Sequence, residues 1–199
     1  MFDGIAGFTA SSSMCEPAQL FTLLETLYGA FDRLAQQHGV FNVETICDSY
    51  VAVTGLPEPR ADHAVVMAKF ACDCREKLTQ LTKKLGRTLG PDTEDLDVRI
   101  GLNSGPVTAG VLRGKGCQFQ LFGDTFNMAA RMESTGMVSK IQISQATANL
   151  LTKDGKSHWI TKGKVKSKGK GKVQTYWVEP KRHHAASTSS GEEIMDENI

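Results

Sequence analysis

Phe119-Gln-Leu-Phe-Gly-Asp-Thr-Phe-Asn-Met-Ala-Ala-Arg-Met-Glu-Ser-Thr-Gly136 is the stretch around which the chain is organised. Residues 119–122 predict a short apolar strand. Gly123-Asp124 breaks it, and Asp124 or Thr125 is placed to cap a following helix. On that helix Asn127 and Arg131 are four apart and share a face, while Met128, Ala129 and Met132 pack on the other side. Thr135-Gly136 ends the helix. An amide and a guanidinium presented together at a strand end suit a polar, anionic ligand, because the arginine fork is planar and always charged. A surface helix with a solvated arginine explains the same residues equally well.

Outward from this stretch the chain reads as one domain. Pro17 opens a helix with Leu20, Leu23, Leu24, Leu27, Phe31 and Leu34 at helical spacing, stopped at His38-Gly39, where the histidine reads as a capping or surface residue. Residues 40–54 predict a hairpin turning at Ile46-Cys47-Asp48. A long helix is expected from Asp62 to Leu85 and a loop over 86–94. A second hairpin is expected, residues 97–103 with 106–112, turning at Ser104-Gly105. Further elements are a strand at Lys140–Ser144, a short helix at Gln145–Leu151 and a last strand at Val173–Val178. The order strand, helix, strand, strand, helix, strand predicts an α+β fold with a ferredoxin-like β-α-β-β-α-β core and C-terminal additions. The domain is expected over 1–178. Residues 179–199 are polar, nearly free of apolar side chains, and expected to be disordered.

The opening stretch resembles the signature Leu-Phe-Gly-Asp-Thr-Val-Asn-x-Ala-Ser-Arg-Met-Glu-Ser-Thr-Gly of class III nucleotidyl cyclases. Val43–Ile46 with Asp48, Gly55–Pro59, Arg99–Val107, Lys168–Gly171 and Thr175–Trp177 resemble other segments of that family, so the similarity covers about Phe2 to Val178. It implies the nucleotide cyclase fold and attack of a ribose 3′-hydroxyl on the α-phosphate of the same nucleoside triphosphate, with release of pyrophosphate. It gives Asn127 the role of orienting the ribose and Arg131 that of meeting charge on the transferring phosphate. Glu44 and Gln120 fall on the purine-reading positions. Glutamate accepts from guanine and opposes adenine N1, favouring GTP, while the amide of Gln120 fits either base. Lys168 falls on the position that grips the triphosphate, with Lys170 as the fallback.

The family uses two divalent ions, Mg²⁺ or Mn²⁺, held by two carboxylates. One falls on Asp48. The other belongs three residues before Gly7, where Gly4 stands, and Asp3 is one position early. A one-residue shift turns a side chain to the opposite face of a strand. A β-bulge at the glycine would re-aim Asp3 at the metal; without one, the ligand is missing. Cys47 stands where the family has a glycine in a tight turn.

The resemblance implies a dimer, homo- or heteromeric, in which one subunit gives Asp48 and Glu44 and the other Asn127 and Arg131. The reading is a guanylyl cyclase domain making cyclic GMP for intracellular signalling. The alternative is a catalytically degenerate homologue that pairs with and regulates an active cyclase. Adenylyl cyclase activity is a further variant.

The net charge of +1 gives no global attraction to nucleic acid or membrane. Lys162 to Lys172 alternate with small residues and would line one strand face, but no interleaved aromatics support base stacking, so no nucleic acid partner is expected. The odd number of cysteines, five, lacks zinc-ligand spacing and suggests reduced thiols in a cytoplasmic compartment. No run is long enough to cross a bilayer, so no direct membrane insertion is expected, although the chain could be the cytosolic part of a membrane-anchored parent.

Overall fold

The computed structural model describes residues 1–8, 12, 16–113, 117–164 and 174–180. Its main sheet contains β1 (Phe2–Ala6), β2 (Phe41–Ile46), β3 (Ser49–Val53), β4 (Asp97–Leu102), β7 (Ile141–Ser144), β8 (Ile160–Lys164) and β9 (Gln174–Val178), in the order β2-β3-β1-β4-β7-β9-β8. The first four are the expected ferredoxin-like core. β5 (Thr108–Arg113) and β6 (Cys117–Phe122) form a separate two-stranded sheet.

Two long helices cover one face. α1 (Pro17–His38) starts on proline and ends at Gly39, whose φ of 64° closes the last turn without a Cβ penalty. Its stripe of Leu23, Leu27 and Phe31 is buried. α2 (His63–Leu89) buries Met67, Phe70, Cys74 and Leu78. Tyr50 of β3 lies between these helices, its ring 5.5 Å from Phe31 and 6.4 Å from Phe70. Its hydroxyl donates to Asp32 at 2.8 Å.

α3 (Asp124–Ser134) covers the other face. Phe126 packs edge-on to Phe2 of β1, with centroids 4.7 Å apart. The helix backbone presses on β4 at Gly101, where a Cβ would stand 2.1 Å from the Glu133 nitrogen. Only glycine admits that approach. α4 (Gln145–Lys153) follows β7, its first turn capped by Ser144.

Four sequence expectations are corrected. Residues 97–112 are not a hairpin: β4 pairs with β1 and β7, and β5 pairs with β6. α2 runs on through Gly86, which is buried because Glu94 packs against its bare Cα. β8 was not expected, its lysine-glycine alternation being a weak strand signal. His38 is not a simple cap, since its Nε2 lies 2.8 Å from Asp73. The polar residues from 181 onward lie outside the described residues. Among those described, no helix is long and apolar enough to cross a membrane.

Candidate active site

The helix expected to carry the chemistry is fixed at its start by backbone contacts. Gly123 precedes it at φ 130°, a conformation that favours glycine. Neither Asp124 nor Thr125 caps it as expected. Thr125 instead donates its hydroxyl to the Pro106 carbonyl at 2.7 Å, and Asn103 donates to the Thr125 carbonyl at 3.0 Å. These bonds tie the first turn to the β4–β5 connection. Ala129 and Met132 are buried, while Asn127 is exposed and Arg131 half-buried one turn further on. Neither side chain has a hydrogen-bond or ion-pair partner among the described residues. The Arg131 carbonyl is engaged instead, accepting from Thr135 and Ser134. The helix therefore offers a free amide and a free guanidinium.

Register places the purine-reading candidates. Glu44 pairs with Val51, and Val51 with Phe2, so all three share the sheet face that α3 covers. An irregularity between Asn42 and Glu44 sets this alternation. Gln120 lies on β6, which runs beside β2, as the Phe41–Phe119 ring pair at 5.1 Å shows. Glu44 and Gln120 thus come from neighbouring strands, both half-buried.

Asp48 is half-buried in the turn between β2 and β3. Cys47 adopts φ 53° there, the positive value the turn suggested. Tyr28 of α1 donates to the Cys47 carbonyl at 3.1 Å, and the Asp48 carbonyl accepts from the Ile5 amide at 3.1 Å. The turn is thereby fastened to β1 beside Gly4, whose sheet partner is Ser49.

Asp3 is not brought to this place. β1 is in regular register with β3 and β4, so no bulge re-aims it. Its partner is Tyr50, and both side chains face α1 and α2. Asp3 is 1% exposed and its Oδ2 has no hydrogen-bond partner. Burial, and then the carboxylate of Glu133, hold its pKa well above the usual carboxylate range.

On the α3 side of β1, the Glu133 carboxylate fills the space over Gly4. Its Oε1 lies 2.7 Å from where a Cβ on that glycine would be. Arg99 of β4, the sheet partner of Gly4, donates from Nε to the same oxygen at 3.1 Å. The residues present do not fit a pair of divalent ions. β1 turns no carboxylate to this face, and no group of three metal-ligating side chains occurs among the described residues. Lys168 and Lys170 lie outside the described residues. Arg99 and Glu133 were part of the sequence motifs but had no role there, because only the sheet register and the crossing of α3 bring them to Gly4.

Residues 1–180 match the family described as the adenylate and guanylate cyclase catalytic domain. The chain is 41% identical over 177 residues to a receptor-type guanylate cyclase of Caenorhabditis elegans, covering 89% of this chain and 14% of that protein. It is 38% identical over 179 residues to the rat guanylate cyclase soluble subunit beta-2, covering 89% of this chain and 25% of that one. It thus spans a quarter or less of these relatives. Among solved structures, the guanylate cyclase domain of RhGC from Catenaria anguillulae in complex with GTP is similar at TM-score 0.75 and 38% identity. That match covers 91% of this chain and 94% of that one. The adenylyl cyclase CyaB from P. aeruginosa is similar at TM-score 0.79 and 25% identity, covering 91% and 92%. The sheet order and these matches agree: the chain belongs to the adenylate and guanylate cyclase catalytic-domain family.

Proposed function

We propose that this domain converts GTP to cyclic GMP and pyrophosphate as half of a dimeric site. The observation that carries the reading is α3, which presents Asn127 and Arg131 without partners of their own on a helix seated against β1 and β4. In the reaction the 3′-oxygen attacks the α-phosphorus and pyrophosphate leaves. Asn127 holds the ribose in line, and Arg131 meets charge that grows on the phosphate, a contact strongest in the transition state. Glu44 accepts from guanine and Gln120 donates to its O6, so adenine is disfavoured. Lys168 grips the triphosphate. Asp48 is the one carboxylate this side of the site offers to Mg²⁺ or Mn²⁺. Dimerisation completes the site, because Asn127 and Arg131 serve the nucleotide held by the other subunit's Asp48 and Glu44. The buried, inward-facing Asp3 favours a second reading, in which the chain lends Asn127 and Arg131 to an intact partner.

The experiment is cyclic nucleotide formation from GTP and from ATP in parallel. The expected product is cyclic GMP, and Glu44→Lys with Gln120→Asp moves the preference toward ATP. Equal turnover of both nucleotides by the unmodified protein refutes the purine assignment.

A further inference from the structure

Ile46 pairs with Ser49, so Cys47 and Asp48 are the two central residues of the β2–β3 hairpin loop. Cys47 is exposed and takes φ 53°, while Asp48 stays outside the left-handed region. A loop of this kind suits glycine at its first central position, and a residue with a Cβ is strained there. Two bonds hold the loop in shape. Ile5 of β1 donates its amide to the Asp48 carbonyl at 3.1 Å. Tyr28 of α1 donates its hydroxyl to the Cys47 carbonyl at 3.1 Å. The Tyr28 ring is itself fixed, stacked on Tyr50 with centroids 5.9 Å apart and edge-on to Phe31 at 6.3 Å. Burial, and then the carboxylates of Asp3 and Asp48, push the Tyr28 hydroxyl above its usual range, so it keeps the proton it donates.

We propose that Tyr28 is a positioning residue for Asp48: its hydroxyl latches the Cys47 carbonyl and holds the loop in the left-handed turn that Cys47 by itself would leave. The proposal rests on the cyclase reading, in which Asp48 is a carboxylate of the site. The oxygen that Tyr28 grips belongs to the peptide joining Cys47 to Asp48. When that planar peptide turns, the Asp48 Cα and its carboxylate turn with it. Glycine at position 47 would keep the turn without help. The latch from α1 matters in this chain because a cysteine stands there. Tyr28 touches no reacting group in this scheme and acts only through the loop.

The test compares the unmodified full chain, Tyr28→Phe, Cys47→Gly and the double variant. Phenylalanine keeps the ring packed on Tyr50 and Phe31 and removes only the hydroxyl. Carbon chemical shifts read the backbone conformation at residue 47, and amide exchange reads the Ile5 bond. Ile100, whose amide donates to the Lys140 carbonyl, is the control. Tyr28→Phe is expected to move Cys47 out of the left-handed region. It should speed exchange at Ile5 about fivefold, the loss of one ordinary hydrogen bond, and leave Ile100 unchanged. In cyclic GMP formation it should lower kcat about tenfold with KM nearly unchanged. With glycine at position 47, the same change should alter exchange at Ile5 and kcat by less than about twofold. The proposal is overturned if Tyr28→Phe leaves Cys47 and Ile5 as they were, or if its effects are as large with glycine at position 47. Equal acceleration at Ile5 and Ile100 also overturns it, because a tyrosine that only supports the core would give that result. Should Tyr28→Phe not fold by itself, the double variant is expected to fold, and failure of both overturns the proposal. The expected exchange and shift pattern without cyclic GMP refutes only the proposed function. Cyclic GMP formed with both of those readouts unmoved refutes only this inference.

Discussion

In the 199-residue chain taken by itself, conversion of the Met1 ammonium to an amide should stabilise the fold, and the gain should grow as pH falls. The α-amino group is fully enclosed at the head of the central strand, donating to the Ala52 carbonyl at 2.8 Å. Beside it lies a cavity of about 430 Å³ lined by Val53, Leu102, Asn103 and Ser104, among others. Burial lowers the amine pKa from 8.0 to about 5. Above pH 8 the amine is neutral folded and unfolded, and the group has no effect. Below pH 8 the unfolded chain takes up a proton that the folded chain refuses, so stability is lost as pH falls, down to the folded pKa. At ~1.36 kcal/mol per unit, the loss is on the order of 1 kcal/mol at pH 7 and about 3 kcal/mol at pH 5.5. An N-terminal acetyl group, or two apolar residues added before Met1, keeps a donor for Ala52 and removes the charge.

The assay compares urea unfolding of the free and acetylated forms at pH 8.5, 7 and 5.5. Asp3 contributes with the opposite sign. Its raised folded pKa gives stability that is present below its unfolded pKa and lost as pH rises through the folded value. It is identical in the two forms and drops out of their difference. A difference that does not change between pH 8.5 and 5.5 would refute the claim that the ammonium is buried at a cost.

Three further outcomes are expected. Arg131→Ala should lower kcat by about 10²-fold or more with KM nearly unchanged, because the contact forms fully only in the transition state; steady-state kinetics showing a change confined to KM would count against it. Gly101→Ala should destabilise by at least ~1–3 kcal/mol, since its Cβ would meet α3 backbone rather than a movable side chain; thermal melts showing the small gain usual for Gly→Ala would show that α3 is not seated there. Cys47→Gly should stabilise by about 1 kcal/mol by relieving φ 53° in a residue with a Cβ, and an unchanged urea midpoint would mean the turn is not strained.

Much of the fold was legible because its signals are local. Pro17 and Gly39 bracket α1 by fixed chemistry, and the residues between them repeat at helical spacing. The β2–β3 hairpin and the α3 boundaries were legible for the same reason. The false hairpin over 97–112 shows where local reading stops. Two strand-like runs around Ser104-Gly105 look like neighbours, yet β4 is claimed by β1 and β7 from distant parts of the chain. Asn127 and Arg131 were legible as a pair because four residues along a helix return to the same face. The surroundings of Gly4 were not, because they assemble from β1, β4 and α3, a hundred residues apart.

The position of Asp3 shows how a single register decides chemistry. Residues 2 to 6 alternate between two faces, and β3 and β4 hold that alternation from both sides. Turning Asp3 to the α3 face would require a bulge that breaks pairing on two central ladders at once. It would also bring Phe2 away from Phe126 and expose a core position beside Tyr50. The sheet therefore opposes any local adjustment of β1, and the carboxyl stays in the core. What stands over Gly4 is set by the reach of Glu133 from α3. The same docking of α3 on Gly101 that places Arg131 also places Glu133, two residues on. A change that lifts this helix should then disturb Arg131 and the Arg99–Glu133 pair together.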